Sequence, residues 1–558
     1  NAQGWEWTYG FGAPSQRSAK GMAITTDEKG NSYVTGYFTD KMDFPPLTLQ
    51  SDGTSDAFVA KYDINGKLVW IRQISGLDLE VGHGIALDGK NNIYVCGEFG
   101  GVANFGHEIF LKALVAGSDA FLAKYDNNGN IIWATLAGNA PPIGNFYNSA
   151  TAYAVDVDLA GNSYITGWFN HAANFGNNIT LTCNGALPDD YDMFVARYDT
   201  NGNVVWAQQG GGILADEGRG ISVTSNGQCF VTGRFSTAQA SFSGHILSCN
   251  NGNFDAFVAS YNTLGVLLWA TQSKDVAIPA VPNNCIANAI DNDSDGNSYI
   301  TGFFYGTQHF GATTFTSTNS NADAFTIKID TKGNIVWARQ ESGDNSEYGN
   351  AVSVDLNSKL VYVGGDYYSS IKFSNGNVAT ANQMNDLFFL GYDYSGKLQF
   401  EKQATTTAFG STLGIAADPL DAKGNSFYVT GGYSTYSLEF LDQLNSPGGL
   451  TLNGLCDPGY DAGFVAKYMN PTLNTFNKTD VETVSVSPNP VSVELHIQDT
   501  VRRATPFVKM KITNSMSGIV LYSGEYRSAL STAGWDSGIY IITLESEDSV
   551  QHIRFIKE

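Results

Sequence analysis

The sequence predicts an all-β chain: a seven-bladed β-propeller closed by its own N-terminal strand, followed by a small antiparallel β-sandwich. Three observations predict it. A phrase of the form Asp-Ala-Phe-Val-Ala-Lys-Tyr returns seven times, starting at Asp56, Asp119, Asp192, Asp255, Asp323, Asp386 and Asp461. Two more phrases recur with it. A Tyr-Val-Thr-Gly phrase ends at Gly36, Gly97, Gly167, Gly233, Gly302, Gly364 and Gly431, and an Asn-Gly-x-x-x-Trp phrase places its aromatic at Trp70, Trp133, Trp206, Trp269, Trp337 and Phe400. Finally, the two ends complete each other. Trp5-Glu-Trp7-Thr reads as an outermost strand without its partners, and the last unit stops after Asp461–Tyr468 without an outermost strand.

Each unit parses into four strands, here A to D. Strand A precedes an Asp…Gly-Asn turn, as in Gly21-Met-Ala-Ile-Thr before Asp27-Glu-Lys-Gly30-Asn31. Strand B is the Tyr-Val-Thr-Gly-x-Phe segment. Strand C is the Asp-Ala-Phe phrase, almost continuously apolar, as expected of a strand covered on both faces. Strand D carries the Trp after an Asn-Gly turn whose residues tolerate positive φ. Four-stranded units repeated radially define a propeller, and pairing the N-terminal strand with the last unit removes both open sheet edges. In such blades the A–B and C–D turns share one face, and the B–C and D–A loops share the other. The second set reads as long and varied, with excursions at 139–148, 274–285 and 434–460, so a ligand is expected on that face.

Composition agrees. Only 15% of the 558 residues are charged, and the net charge of −23 makes nucleic acid and anionic membrane surfaces poor partners. No apolar run reaches the ~18 residues of a membrane-spanning helix. The chain opens Asn1-Ala2-Gln3, read as a mature N-terminus after signal-peptide removal, and residue 1 is not the Cys of a lipoprotein. The six cysteines include no Cys-x-x-Cys pair, which argues against zinc. Buried free thiols suit Cys96 and Cys229, and spacing selects no disulfide pairing.

The repeats, over roughly residues 5 to 468, resemble the bacterial propeller units known as SBBP repeats, a resemblance that implies a fold and an exported location but no uniform activity. The Trp phrase is also similar to the tryptophan-docking repeat of quinoprotein dehydrogenases. The eight blades and adjacent cysteine pair typical of those enzymes do not occur here, so no quinone cofactor is expected.

Residues 469–480 break the repeat and read as a linker. Residues 481–558 follow another pattern: Val486-Ser-Pro488-Asn489-Pro490, Leu495-His-Ile497, a strand ending near Gly518, Gly538-Ile-Tyr540, and a basic terminal strand through Lys557. Alternating apolar positions between turn residues indicate a small sandwich. The tail resembles the type A C-terminal sorting domain of type IX secretion cargo from Bacteroidetes-type bacteria. Ser517-Gly518-Ile in place of an acidic Gly-Lys hairpin, and Glu558 after the last Lys, depart from that pattern. The resemblance implies passage through the periplasm and recognition of the tail by an outer-membrane shuttle β-barrel and translocon. Attachment at the cell surface or release then follows. An accessory module, such as a carbohydrate-binding one, is the competing reading of the tail.

Candidate chemistry is sparse. Asp291, Asp293 and Asp295 have the Asp-x-Asp-x-Asp-Gly spacing that wraps oxygens around Ca²⁺, although Tyr299 and Gly302 stand where calcium loops often place further acids. A plain structural turn is the competing reading, and no other cofactor is expected. The Asp that opens each strand C recurs once per blade and reads as an acceptor for backbone N–H groups. No catalytic constellation can be assembled from the sequence. Two function classes follow: a non-enzymatic surface or secreted module binding a glycan or protein, and a polysaccharide hydrolase or lyase on a propeller scaffold.

Overall fold

The computed structural model describes residues 4–469 except 13–16, 114–116, 139–147, 186, 188–189, 250–252, 276–282, 422–425, 435–436, 442–449 and 454–459. Beyond these it describes residues 484–487, 494–499, 509–514, 520–525, 529–531, 535, 538–545 and 550–557. The chain divides into two compact units, Asn1–Leu473 and Asn474–Glu558. Apart from one 3-10 turn at Thr318–Ser320, every described element is a β-strand, and among the described residues no helix is long and apolar enough to cross a membrane.

The first unit contains seven sheets in which strands A to D pair antiparallel in sequence order. Their innermost strands are Ala19–Thr26, Glu80–Leu87, Ala150–Val157, Asp216–Val223, Cys285–Asn292, Glu347–Asp355 and Gly410–Ala417. Each of these lies against the inner strand of the next sheet, and Gly410–Ala417 lies against Ala19–Thr26. In the last sheet the fourth strand is Gly4–Phe11, hydrogen-bonded to Ala462–Met469. Strand C is buried along its whole length in the first, fourth and fifth sheets, among others (Asp56–Tyr62, Asp255–Tyr261 and Asp323–Ile329), because neighbouring sheets cover both faces. In the sixth sheet the glycine opposite the strand C Phe is Gly365, facing Phe388 as Gly36 faces Phe58, which moves the predicted Gly364 by one residue.

Neighbouring sheets are joined by one repeated contact. The indole N–H of Trp7, Trp70, Trp133, Trp206, Trp269 and Trp337 donates to a carbonyl in the C–D turn of the next sheet, at 2.9–3.2 Å. The ring rests on that turn's glycine, one of Gly66, Gly129, Gly202, Gly265, Gly333 and Gly396, all with φ between 76° and 87°. A Cβ at any of the six would stand 2.6–2.9 Å from a ring carbon. Glycine is therefore required twice over, by the left-handed backbone and by the indole above it.

The B–C segments are more regular than their sequences suggest. Six of them fold into separate two-stranded hairpins, such as Lys41–Phe44 with Leu47–Gln50, and in the sixth sheet strands B and C simply lengthen to form one. Each carries one buried Phe, at 44, 105, 175, 242, 310, 373 and 440. Six of these rings sit 4.8–5.5 Å from the Phe of their own strand C. Two hairpins also pair with the outer strand of the preceding sheet, at Val204–Gly211 and Leu398–Thr406, and so cover an edge. In five of the sheets the Asp that opens strand C accepts from a strand D glutamine, as Asp192 does from Gln209 and Asp386 from Gln403. It also accepts hairpin backbone N–H groups, from Asn184 and Asn382 respectively.

The second unit has a three-stranded sheet (Val484–Ser487, Glu494–Asp499, Ala529–Ser531) and a four-stranded one (Val520–Glu525, Lys509–Asn514, Gly538–Glu545, Val550–Lys557). Met510, Ile512, Tyr540 and Ile542 are buried, the alternate positions of two paired strands. The predicted linker, Met469 aside, lies outside the described residues.

The docking contact predicts a graded response to one methyl group. Gly202→Ala should cost about 2–3 kcal/mol, the sum of positive-φ strain and collision with Trp133. Gly244→Ala, also at positive φ (89°) but facing open space, should cost only about 1 kcal/mol. Denaturant unfolding of both variants decides it: equal losses would mean that the indole does not need the glycine.

Candidate functional site

In every inner strand the ladder to strand B slips once: between Gly21 and Ala23, Gly82 and Gly84, Ala152 and Ala154, Gly218 and Gly220, Ala287 and Ala289, Gly349 and Ala351, and Thr412 and Gly414. The residue left over in each bulge is Met22, His83, Tyr153, Arg219, Asn288, Asn350 or Leu413. Small flanking residues are needed because the inner strands nearly touch. A Cβ on Gly84 would lie 2.9 Å from Val155 N, and one on Gly414 would lie 3.0 Å from Ile24 N. A bulge re-aims its extra side chain, and all seven of these line one cavity of about 500 Å³. They sit in the half of strand A nearer its D–A loop, so the cavity opens on the B–C/D–A side.

An aliphatic ring, Ile24, Ile85, Val155, Ile221, Ile290, Val352 and Ile415, lines this cavity and also a second one of about 690 Å³ beyond it. The second chamber is lined in part by Thr25, Asp156, Ser222, Asp291 and Ser353. Asp156 accepts from Val223 N at 2.6 Å and Asp291 from Val354 N at 2.7 Å, each tying its strand to the next sheet. Burial pushes Asp156 up to about 7 and Asp291 to about 6.

The predicted calcium residues thus have different tasks. Asp291 belongs to the chamber wall. Asp293 accepts the backbone N–H groups of Asp295 and Asn297, the Asn297 amide and the Tyr299 hydroxyl, with Lys328 Nζ at 3.5 Å. Asp27 closes its own A–B turn in the same way, and Asp295 is exposed. Among the described residues no group of three or more His, Cys, Asp or Glu side chains is arranged to hold a metal.

Around the first chamber the bulge residues form a circuit. Arg219 Nη1 donates to Asn288 Oδ1 (3.0 Å), Asn288 Nδ2 to Asn350 Oδ1 (3.5 Å), and Asn350 Nδ2 to Asp366 Oδ1 (2.6 Å), linking three sheets. Glu217 receives Arg219 Nε at 2.8 Å, Arg234 Nη2 at 2.5 Å and the Tyr191 hydroxyl at 3.0 Å. Burial pushes its carboxyl up, but the two guanidiniums outweigh this and hold it below the usual value. Opposite, His83 contacts Glu98 at 3.3 Å, and there too burial is outweighed, by the His83 contact. Glu98, Trp168, Arg234, Phe303 and Asp366 all occupy the x of Tyr-Val-Thr-Gly-x-Phe, half-buried in four of the five. Aromatic rings crowd the same end: Trp168 with Tyr191 at 5.1 Å, and Phe303 with Tyr348 at 4.8 Å. No prediction singled out the bulge residues. Their signal is small-x-small-aliphatic in each strand A, with x different in nearly every unit.

Of the predicted sorting residues, Leu495 and Ile497 lie in the strand Glu494–Asp499, Gly538 and Tyr540 in Gly538–Glu545, and Lys557 in the edge strand Val550–Lys557. Pro488, Asn489, Pro490 and Gly518 fall outside the described residues. Among the described cysteines, Cys96, Cys183, Cys229 and Cys285 are buried free thiols, and Cys249 is buried.

Comparison with known proteins supports both parts. Residues 69–98 match the family model of a β-propeller repeat, SBBP. Residues 485–558 match that of the secretion system C-terminal sorting domain, the type IX kind. Over 427 residues the chain is 26% identical to an uncharacterised WD repeat-containing protein of Acanthamoeba polyphaga mimivirus, covering 63% of this chain and 30% of that one. Over 148 residues it is 27% identical to the regulatory protein FlaEY of Caulobacter vibrioides, covering 26% of this chain and 14% of that protein. The chain therefore spans less than a third of these relatives' lengths. Among solved structures it is similar to a protein of unknown function from Dyadobacter fermentans (TM-score 0.34, 10% identity, 83% of this chain and 98% of that one). It is also similar to Sqt1 from Chaetomium thermophilum (TM-score 0.40, 8% identity, 82% and 98%). The sorting domain indicates export, with secretion or attachment at the cell surface.

Asp366 gives the site a pH signature. Burial pushes its carboxyl up to about 7, against the amides of Asn350 and Asn385, whereas an unfolded Asp titrates near ~4. The folded chain binds the extra proton, so this group's contribution to stability is complete below pH ~4 and falls as pH rises toward 7. Against the Asp366→Asn variant, the wild type should lose up to about 1.4 kcal/mol more per pH unit in that window. Parallel stability curves would show that Asp366 ionises normally.

Proposed function

We propose that this protein is cargo of a type IX secretion system and that its repeats form a closed seven-bladed propeller binding a neutral glycan in the first chamber. The glycan reading rests above all on one observation. Seven bulged positions, one per sheet and free of the repeat consensus, point into a single cavity. Its volume lies within the ~300–1,000 Å³ of small-ligand sites. The charges around it are matched within the protein: Glu217 by Arg219 and Arg234, Glu98 by His83. What a ligand meets is the amides of Asn288 and Asn350, the phenol of Tyr153, the Phe303 face, the apolar Met22 and Leu413, and an Arg219 already paired with Glu217. Such surfaces suit the hydroxyls and C–H faces of a sugar better than an ion.

Closure is supported by the N-terminal strand. Trp7 makes with Ile64 O and Gly66 the contact that the other Trp residues make between successive sheets. We read residues 481–558 as the part recognised by the outer-membrane shuttle barrel and translocon. Among the described residues Val550–Lys557 pairs with one strand, Gly538–Glu545, at the end of its sheet, a position suited to strand addition. One observation favours the second reading, a polysaccharide hydrolase or lyase: Asp366, behind Asn350, keeps its proton to about pH 7, as a general acid must. The carboxyls of Glu217 and Glu98 nearby are both held below the usual value, by two guanidiniums and by contacts with His83 and Thr151 respectively, which leaves it without a partner for that chemistry.

Two experiments test the proposal. In a host with the secretion system, the full chain should reach the surface or medium, and a version ending at Asp480 should stay in the periplasm. Equal fates would remove the secretion reading. Tyr153→Ala and Asn288→Ala should each weaken a glycan found on an oligosaccharide array at least about tenfold by calorimetry, about 1.4 kcal/mol. Unchanged affinity in both folded variants would place the ligand elsewhere.

A further inference from the structure

Alternate boundaries between sheets bury carboxylates in pairs. The first residue of an inner strand donates its N–H to the residue preceding the strand C Asp of the sheet before: Glu80 to Ser55 O (2.9 Å), Asp216 to Tyr191 O (2.8 Å) and Glu347 to Ala322 O (2.8 Å). This sets Glu80 beside Asp56, Asp216 beside Asp192 and Glu347 beside Asp323. At the remaining boundaries the inner strand opens with Ala19, Ala150, Cys285 or Gly410, so no second acid is present. All six carboxylates are fully buried.

The three pairs differ in how their charge is met. Asp216 accepts from Gly212 N at 2.7 Å and Ser236 N at 3.0 Å, so each of its oxygens has a backbone donor. Neither oxygen of Glu80 nor of Glu347 completes a hydrogen bond, although the N–H groups of Gly76 and Gly343 approach them. Other oxygens surround them instead. The space a Cβ on Gly76 would fill is bounded by Glu80 Oε1 and the Val102 carbonyl, and that of Gly343 by Glu347 Oε1 and the Ser370 carbonyl. Each D–A loop adds a further acid, Asp78 or Asp344, whose charge is felt at the buried Glu. Among the described residues no Lys, Arg or His pairs with any of these groups.

We propose that the Asp56–Glu80 and Asp323–Glu347 junctions each bind one hard divalent cation, of the calcium class, clamping neighbouring sheets together. Calcium takes oxygen ligands in flexible geometry, so two carboxylates, a carbonyl and water are a sufficient set without a third carboxylate already in place. Asp56 and Asp323 have donors in Gln73 and Gln340, but the Glu of each pair does not, and that is costly: burial pushes Glu80 up to about 8 and Glu347 to about 10. In the Asp192–Asp216 pair three of the four oxygens have donors and only Asp192 Oδ1 lacks one, so it needs no ion and is the internal control.

Native mass spectrometry after chelator dialysis and re-addition of calcium chloride counts the ions. The wild type and Asp216→Asn should carry two, Glu80→Gln one, and Glu80→Gln/Glu347→Gln none, with folding checked by circular dichroism. Both Gln substitutions remove a buried charge and keep the shape. If the double variant does not fold, the wild-type count decides alone: two ions support the proposal. Any other wild-type count, or ions retained on the folded double variant, overturns it and leaves the pairs as carboxylic acids holding protons.

Discussion

Most of the first unit follows from one contact, the indole of each outer strand lying on the turn glycine of the next sheet. A four-stranded sheet buries both faces only between neighbours, and twist brings those neighbours closest at the inner strands and furthest apart at the rim. The rim is therefore where a large ring is needed and where a missing methyl makes room for it. Because the Trp N–H also donates to that turn, the contact fixes angle as well as distance. Six copies of one geometry demand six turn glycines, Gly66 to Gly396, each four residues ahead of a strand D aromatic, whereas the Asn before the glycine is kept only at 65, 128 and 201. Phe400, the seventh aromatic, packs instead on Phe427 and Tyr468, in the sheet completed by the N-terminal strand.

The same logic explains what was legible in the sequence. Strands B and C are enclosed on both faces, so their phrases are rigid and the strand assignment could be made by eye. The hairpins between them repeat as faithfully in space, yet only the buried Phe keeps its identity; the residue two before it is buried as well but varies, as Met42, Ala103, Gln308 and Leu438 show. Loops of different length separate these Phe residues from the strand C ring they meet, so Phe44 and Phe440 do not align by inspection. The bulged residues were hidden for a different reason. Their meaning depends on a register slip, and a slip is a relation between two strands that a single strand does not record. Asp291 shows the cost of reading a motif without its register: three acids spaced for a cation loop divide between a chamber wall and a turn.

Invariance and variety are thereby separated within single strands. In strand A the residues flanking the bulge are held small by the adjacent backbone, and the aliphatic after them belongs to the ring between the chambers. Only the bulged residue and the x of strand B are free of packing duties, and they face the same opening. A change at Tyr153, Arg219 or Asn350 alters what the cavity offers and at most the polar circuit around it, leaving the indole contacts between sheets untouched. The tail is set apart in a similar way, as a separate compact unit whose buried residues, Met510, Ile512, Tyr540 and Ile542, are its own.

Acidity ties these features together. A chain of net charge −23 must place many carboxylates, and the first unit does so in three ways. Turn acids such as Asp27, Asp88 and Asp158 are matched by backbone N–H groups and a neighbouring Asn, the least costly arrangement for a buried anion short of an ion pair. Acids at the chamber have partners too: Glu217 in Arg219 and Arg234, Glu98 in His83 and Thr151, and Asp366 in the amides of Asn350 and Asn385. The junction acids Glu80 and Glu347 have neither kind of match, although glycines at 76 and 343 leave them room and other oxygens surround them. In a structure that satisfies the other turn and chamber acids so consistently, those two positions mark where something outside the chain completes the charge balance.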